Sequence, residues 1–205
     1  EICQHSMNAL SSVKSEDLLA KALQVRGIIH RGQGNMEQAI GDLENSLKQY
    51  ERINDQVGIA YVTGELGIVY YYQNQFAKAL ANYRRALNLC EARHDMRGAM
   101  IGHFNIGDIL LQDEQYDLAT KELQIAWEIA RKRKLIFVEI QAGLFLIEAK
   151  IALSRLDKLE DELSELNALI LDQESPRFSG QALVLRASLH WKRNEFEHAE
   201  KCFNS

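Results

Sequence analysis

Two stretches of the chain, DQVGIAYVTGELG at residues 55–67 and DMRGAMIGHFNIG at residues 95–107, repeat one another with a period of 40. An aspartate opens each stretch, and two glycines follow at matching positions. Self-similarity at a fixed period of this length is the signature of a repeat architecture. Extended in both directions, the period gives repeats over residues 20–59, 60–99, 100–139 and 140–179, with partial repeats over 1–19 and 180–205. We therefore predict a single repeat array over residues 1–205.

The residues at equivalent positions predict two helices joined by a tight turn in each repeat. Small residues stand where two helices would approach closely, at Gly27, Gly67, Gly107 and Ala187. Apolar residues then recur on one helical face, with alanines at 39, 79, 119 and 199 between them. In the fourth copy Ile147 and Leu159 replace the small residues, so we expect its two helices to sit further apart. Turns are predicted near residues 31–35, 72–75, 112–115, 153–155 and 192–195.

Polar residues mark the expected starts of the first helices. Ser15, Asp55, Asp95 and Ser175 share one position in the repeat, and their side chains are predicted to accept from unpaired amides at a helix start. Pro176 suits the first helical position, where its missing N–H costs nothing.

Composition narrows the class of protein. The chain has 46% hydrophobic residues, one proline and 12 glycines, which favours helices over strands. With a net charge of −5, the chain lacks the basic surface that phosphate binding needs, so we expect no direct nucleic-acid partner. The apolar stretch from Leu135 to Leu153 is interrupted by charged residues and predicts no membrane span. Three widely spaced cysteines favour a reducing cytoplasm.

No pattern predicts catalysis, a cofactor or a metal. The RGQG segment at 31–34 has neither the preceding strand nor the third glycine of a phosphate-binding loop, and it is interpreted as a turn. His30 and His190 occupy equivalent positions and are predicted to be packed, hydrogen-bonded core imidazoles rather than metal ligands. We therefore expect a protein that is not an enzyme.

The alternation of small and aromatic residues resembles the tetratricopeptide repeat (TPR), W-x2-L-G-x2-Y followed by A-x3-F. The second copy matches best, with Leu66, Gly67, Tyr70, Phe76, Ala79, Tyr83 and Ala86. The resemblance implies an all-α, right-handed superhelical solenoid of antiparallel helix pairs. Because the period is 40 rather than the usual 34, the chain resembles the longer repeats of MalT-type bacterial regulators and Pins/LGN-type adaptors.

The resemblance also implies a concave groove lined by the first helix of each pair. The peptide-binding residues it indicates are Tyr61, Glu65, Tyr71, Tyr72, Ile101, Phe104, Asn105, Asp108, Phe145 and Glu148. Asn105 matches the asparagine that would bond an extended peptide backbone. Ile68, Leu144 and Ile151 fit either the groove or the core between repeats. Glu65, Asp108 and Glu148 could form an acidic row or could be merely solvated.

Two functions follow from this resemblance. The first is a protein–protein interaction scaffold or sensor segment of a larger regulatory protein, which grips an amphipathic, basic peptide or helix. The second is a regulatory domain of a bacterial transcription activator that responds to a ligand or signalling peptide. Apolar faces at the terminal repeats also predict self-association of the fragment.

Overall fold

The computed structural model describes residues 16–203, with Phe203 described by its backbone only. Ten helices and no strand make up this part of the chain, which confirms the all-α prediction. The helices are α1 Glu16–Gly32, α2 Met36–Arg52, α3 Gln56–Tyr72, α4 Phe76–Ala92, α5 Met96–Gln112, α6 Tyr116–Lys132, α7 Ile136–Ala152, α8 Leu159–Asp172, α9 Pro176–Lys192 and α10 Phe196–Phe203.

The same turn geometry recurs at the ends of the helices. It recurs every 20 residues, which is half of the 40-residue repeat. A residue with positive φ recurs every 20 positions, at Gly34, Asn54, Asn74, His94, Glu114, Lys134, Ser154, Glu174 and Asn194. At the second of these turns the Asp55 amide donates to the Tyr50 carbonyl at 2.9 Å, and the Asn54 amide donates to the Glu51 carbonyl at 3.2 Å. This pair of bonds is the Schellman motif, which satisfies the last carbonyls of a helix. Two such units, each a long helix followed by a three-residue turn, therefore generate the period of 40.

The described chain divides into two compact units, the first ending at Gly102 and the second starting at His103 within α5. In unit 1, α1 packs on α2, α2 on α3 and α3 on α4. Its core consists of Ala20, Ala39, Leu43, Tyr50, Ile59, Val62, Leu66 and Val69.

Unit 2 has a larger aliphatic core. There α7 contacts α6, α8 and α9, and α9 also contacts α8 and α10. The core consists of Ile140, Leu144, Ile147, Ile151, Leu159, Leu163, Leu166, Ile170, Phe178, Ala182, Leu185 and Leu189. It follows that α7, with neighbours on three sides, is the central helix of this unit.

Glycine permits the close approach of paired helices at the predicted positions. A Cβ atom built on Gly67 would lie 2.5 Å from the Tyr83 ring, and one on Gly107 would lie 2.6 Å from the Leu123 side chain. No side chain fits at such distances without a shift of the neighbouring residue. In the fourth pair the equivalent Ile147 and the opposing Leu159 are both buried. The wider spacing expected for that pair stays a prediction.

The fourth pair departs from the predicted turn. We expected a connection over 153–155, but α8 begins only at Leu159. Both Ser154 and Lys158 have left-handed backbone, with φ of 57° and 60°, so two reversals occupy the connection. Within this connection, the Leu156 carbonyl accepts a hydrogen bond from the Arg193 side chain at 2.9 Å. The second helix is consequently 14 residues long instead of 17.

The predicted side-chain caps at helix starts are present at two aspartates and absent at one serine. Asp55 accepts from the amides of Val57 and Gly58, and Asp95 accepts in the same way from the amides of Arg97 and Gly98. Ser175 makes no side-chain cap, and its carbonyl oxygen accepts from the Ser179 hydroxyl instead. Pro176 occupies the first turn as predicted, while Ser15 lies outside the described residues.

In three helix pairs, an acidic residue at the same position of the second helix bonds a basic side chain on the first helix. Asp42 accepts two hydrogen bonds from Arg26 on α1, at 2.6 and 2.5 Å. In the later repeats, Glu122 pairs with His103 at 2.7 Å and Glu162 pairs with Lys150 at 2.9 Å. The three acids share one register position, because their residue numbers differ by whole multiples of the repeat period. Sequence periodicity does not predict these ion pairs, because the partners lie at three different positions of the first helix.

Candidate functional site

The first helices of the pairs carry every residue predicted to bind a peptide. Unit 1 holds Tyr61, Glu65, Tyr71 and Tyr72 on α3 and Ile101 on α5; unit 2 holds Phe104, Asn105 and Asp108 on α5 and Phe145 and Glu148 on α7. The structure therefore places the residues predicted for one groove in two units. A single groove that uses all ten residues stays a prediction.

In unit 1 the predicted aromatic surface is exposed in part. Tyr61 and Tyr72 are 51% and 59% exposed, and Ile101 is 46% exposed. Tyr71 is half-buried between Tyr72 and Phe76, with ring centroids 5.9 Å from each. These side chains offer apolar contact area, but their chemistry alone does not select a ligand.

The predicted acidic row is interrupted in unit 1. The Glu65 carboxylate lies 3.3 Å from the Arg31 guanidinium, and both side chains are largely buried. Burial raises the pKa of the Glu65 carboxyl, whereas the charge of Arg31 opposes that rise. Because Glu65 already has a cation partner, it does not present the free negative charge that a basic ligand would need.

Unit 2 brings two predicted aromatic residues together. The rings of Phe104 and Phe145 stack at 5.6 Å with an angle of 20° between their planes. This contact joins α5 to α7, and both rings are half-buried. Beside it, the half-buried Asn105 amide makes no side-chain hydrogen bond within residues 16–203.

Glu148 is a carboxylate without a cation partner among the described residues. Although it reaches solvent, partial burial against its neighbours is the main cause that raises the pKa of its carboxyl. The negative charge of Asp108 raises that pKa further. Asp108 itself accepts a hydrogen bond from Gln112 at 3.1 Å. A cation placed beside Glu148 would favour its ionised form and so offset the cost of both the desolvation and the repulsion by Asp108.

An apolar groove runs between α7 and α9, with Glu148 at its middle. Two adjoining cavities of about 530 and 440 Å³ form it, and both are lined by Glu148, Val184 and Leu185. Phe145 and Arg177 line the first cavity, whereas Ile151, Trp191 and Lys192 line the second. The sequence left open whether Leu144 and Ile151 belong to the groove or to the core between repeats. Both are buried core residues, and both also line the groove.

The α9 side of this groove was not among the residues predicted from the sequence. Val184, Leu185 and Trp191 stand one repeat period after Leu144, Phe145 and Ile151, so the repeat register contained the signal. Val184 and Trp191 are 54% and 64% exposed, the exposure expected of groove walls rather than core.

The two histidines predicted to be core imidazoles are only partly buried. His190 Nδ1 lies 2.6 Å from Glu195, and His30 Nε2 lies 3.7 Å from Asp42. Within residues 16–203, no group of three or more histidine, cysteine, aspartate or glutamate side chains has a geometry suited to a metal ion. No described helix has the length and apolarity that crossing a membrane requires.

Comparisons with known proteins address the fold. The family described as Tetratricopeptide repeat matches residues 17–92, which cover α1 to α4. No curated protein matches the sequence.

Among solved structures, the chain is similar to a Rap protein complexed with Competence and Sporulation Factor, with 18% identity and a TM-score of 0.69. It is also similar to aspartyl phosphate phosphatase F from Bacillus subtilis, with 13% identity and a TM-score of 0.80. A third likeness is to the TPR-like repeats of a Podosopora anserina structure described as kinesin light chain, with 12% identity and a TM-score of 0.76. These alignments cover 97%, 98% and 94% of this chain, respectively.

The chain spans 56% of the Rap protein, 62% of the phosphatase and 94% of the Podosopora chain. Since the three names imply different activities and the identities are low, the likeness concerns the fold alone. The Tetratricopeptide repeat match covers residues 17–92, and along the rest of the described chain the likeness to these structures is one of helical fold.

Proposed function

We propose that this chain is a protein–protein interaction segment of a larger regulatory protein and that it binds a polypeptide through the groove of unit 2. One observation carries the proposal: a groove between α7 and α9 with exposed Val184 and Trp191 on its walls and an unpaired carboxylate, Glu148, at its middle. Exposed apolar surface of this kind is costly in water unless a partner covers it.

The partner is a polypeptide that is amphipathic and basic. Phe104 and Phe145 present rigid aromatic area, which gives binding energy at a small cost in side-chain entropy. Glu148 and Asp108 favour a positive charge nearby and disfavour an acidic tail. Asn105 supplies an amide that would bond the backbone of an extended segment. We place this interaction in the cytoplasm and assign the chain no catalytic step of its own.

A selection experiment tests the proposal. A random peptide library displayed on phage is selected on the full chain and then screened against Val184→Asp, which puts a charge in the groove wall. Binders should be lost on Val184→Asp and retained on Leu171→Asp, a control on α8 at a side chain that is 66% exposed and outside the groove. Recovery of no binder, or of binders that tolerate Val184→Asp, would refute the proposal.

A second function is favoured by one structural neighbour. The Rap protein was solved in complex with Competence and Sporulation Factor, and 97% of this chain aligns with it. On that likeness we propose as the alternative a regulatory domain that responds to a ligand or signalling peptide, and the period of 40, which resembles MalT-type repeats, favours a bacterial transcription activator as the parent protein. The sequence of the whole parent protein separates the two, because an activator would also carry an ATP-binding loop and a helix-turn-helix segment.

A further inference from the structure

The groove of unit 2 has an internal order of charge and apolar surface that restricts what it can bind. One apolar cavity lies on each side of Glu148, since the two cavities share only this carboxylate and the pair Val184 and Leu185. The outer ends carry cations, with Arg177 in the first cavity and Lys192 in the second. Negative charge is therefore concentrated at the middle of the groove, and positive charge lies at both ends.

The distance between the cavities can be expressed in residues of a ligand. Gly180 lines the first cavity and Ser188 the second. These residues are eight positions apart on α9, which corresponds to about 12 Å along a helix. In an extended segment, residues i and i+4 are about 13 Å apart, and residues i, i+2 and i+4 share one face. A segment of five residues can thus reach both cavities and place its central side chain toward Glu148.

We infer that this groove recognises an extended segment with the order apolar–x–basic–x–apolar, in which a lysine or arginine faces Glu148 and one large apolar side chain enters each cavity. The inference rests on the proposed function and adds the chemical order of the ligand. Each cavity has room for a leucine or phenylalanine side chain. The central cation offsets the paired negative charges of Glu148 and Asp108, and Arg177 and Lys192 disfavour a basic residue at either end.

Three fluorescently labelled synthetic peptides of nearly equal composition test the order. The first is Ser-Leu-Ser-Lys-Ser-Leu-Ser, the second has the lysine moved to the end as Ser-Lys-Ser-Leu-Ser-Leu-Ser, and the third replaces the central lysine by glutamate. Fluorescence anisotropy with the full chain should give the first peptide a Kd roughly tenfold lower than either of the others. A fourth peptide with the spacing apolar–x3–basic–x3–apolar probes a helical ligand, and tighter binding of that peptide would overturn the extended form.

A charge reversal in the protein provides the decisive comparison. Glu148→Lys should reverse the ranking, so that the peptide with central glutamate binds more tightly than the peptide with central lysine. Glu128→Lys changes the net charge equally at an exposed position on α6 outside the groove, and it should leave the ranking unchanged.

The possible failures are distinguishable from one another. Equal binding of the three peptides, or an unchanged ranking in Glu148→Lys, overturns the inference and leaves the proposed function standing if phage selection yields binders sensitive to Val184→Asp. Failure of all the peptides to bind, alongside such phage binders without the predicted order, also overturns the inference. If the selection itself returns no groove-dependent binder, the proposed function fails first.

Discussion

At the scale of single residues, the left-handed turn positions store strain that another residue would release. Glu114, between α5 and α6, has φ of 57°, a conformation that costs an L-residue about 1–2 kcal/mol and glycine almost nothing. Glycine has more conformational freedom in the unfolded chain than other residues, and this reduces its advantage at the turn by about 0.5–1 kcal/mol. Glu114→Gly is therefore expected to stabilise the protein by about 0.5–1 kcal/mol.

The urea midpoint of unfolding measures this effect. The control is Glu128→Gly, the same change within α6, which should cost about 1 kcal/mol. A lower midpoint for Glu114→Gly would contradict the explanation.

Also at this scale, Glu139 is a carboxylate in a position that the two preceding repeats fill with apolar residues. It is 7% exposed, and the equivalent positions one and two repeats earlier are Ala99 and Ile59. Burial raises the pKa of Glu139, the nearby Arg131 opposes the rise, and Glu165 adds to it. Folding thus favours the protonated form of the Glu139 carboxyl more than the unfolded chain does.

A stability profile against pH follows from the direction of that shift. Because the folded pKa lies above the unfolded value of about 4.3, the contribution of Glu139 is fully present below about pH 4.3. It is lost as the pH rises through the folded pKa. Glu139→Gln should therefore flatten the decline in thermal stability between about pH 4 and neutrality. Melting temperatures across that range measure it, with the exposed Glu128→Gln as the control, and an unchanged slope would rule out Glu139 as the cause.

At the scale of helices, close approach within a pair depends on the absence of one side chain. A Cβ atom at Gly67 would lie 2.5 Å from the Tyr83 ring, whereas one at Gly64 on the same helix would meet nothing within 4 Å. Gly67→Ala should lower the free energy of unfolding by about 1–3 kcal/mol through overpacking. Gly64→Ala should raise it by up to about 1 kcal/mol through better helix propensity.

The two variants form a matched pair, since the substitution and the helix are identical. Chemical denaturation of both against the parent protein is the measurement. Equal effects in the two would mean that the contact between α3 and α4 does not require the glycine.

At the scale of the whole molecule, a stripe of apolar residues on α1 predicts self-association. Leu18, Val25 and Ile29 are 45%, 53% and 39% exposed, and their spacing of seven and then four positions places them on one helical face. In the following repeat the last of these positions is Val69, which is fully buried. The stripe therefore corresponds to a face that repeat packing covers.

Light scattering behind size-exclusion chromatography tests the association. Val25→Lys should lower the average mass at high protein concentration, while Leu171→Lys, at an isolated exposed position on α8, should not. A monomeric parent protein at all concentrations would exclude association through this face.

Much of the molecule was determined by local sequence. The period of 40, the helix pairs and the turns near residues 31–35, 72–75, 112–115 and 192–195 followed from spacing, because each depends on residues close together in the chain. The caps at Asp55 and Asp95 followed for the same reason. The delayed start of α8 did not, since two left-handed residues rather than one form its connection.

The tertiary structure alone decided which predicted residues can meet a ligand. Glu65 and Glu148 were both predicted to line the groove, yet Arg31 neutralises the first and no described cation neutralises the second. That difference depends on the Arg31 side chain, 34 positions away in the chain, whose contact with Glu65 forms only when the helices pack. The groove between α7 and α9 likewise exists only because two helices separated by α8 pack side by side. Periodicity could place residues on a helical face, but burial and charge at that face depend on what packs against it.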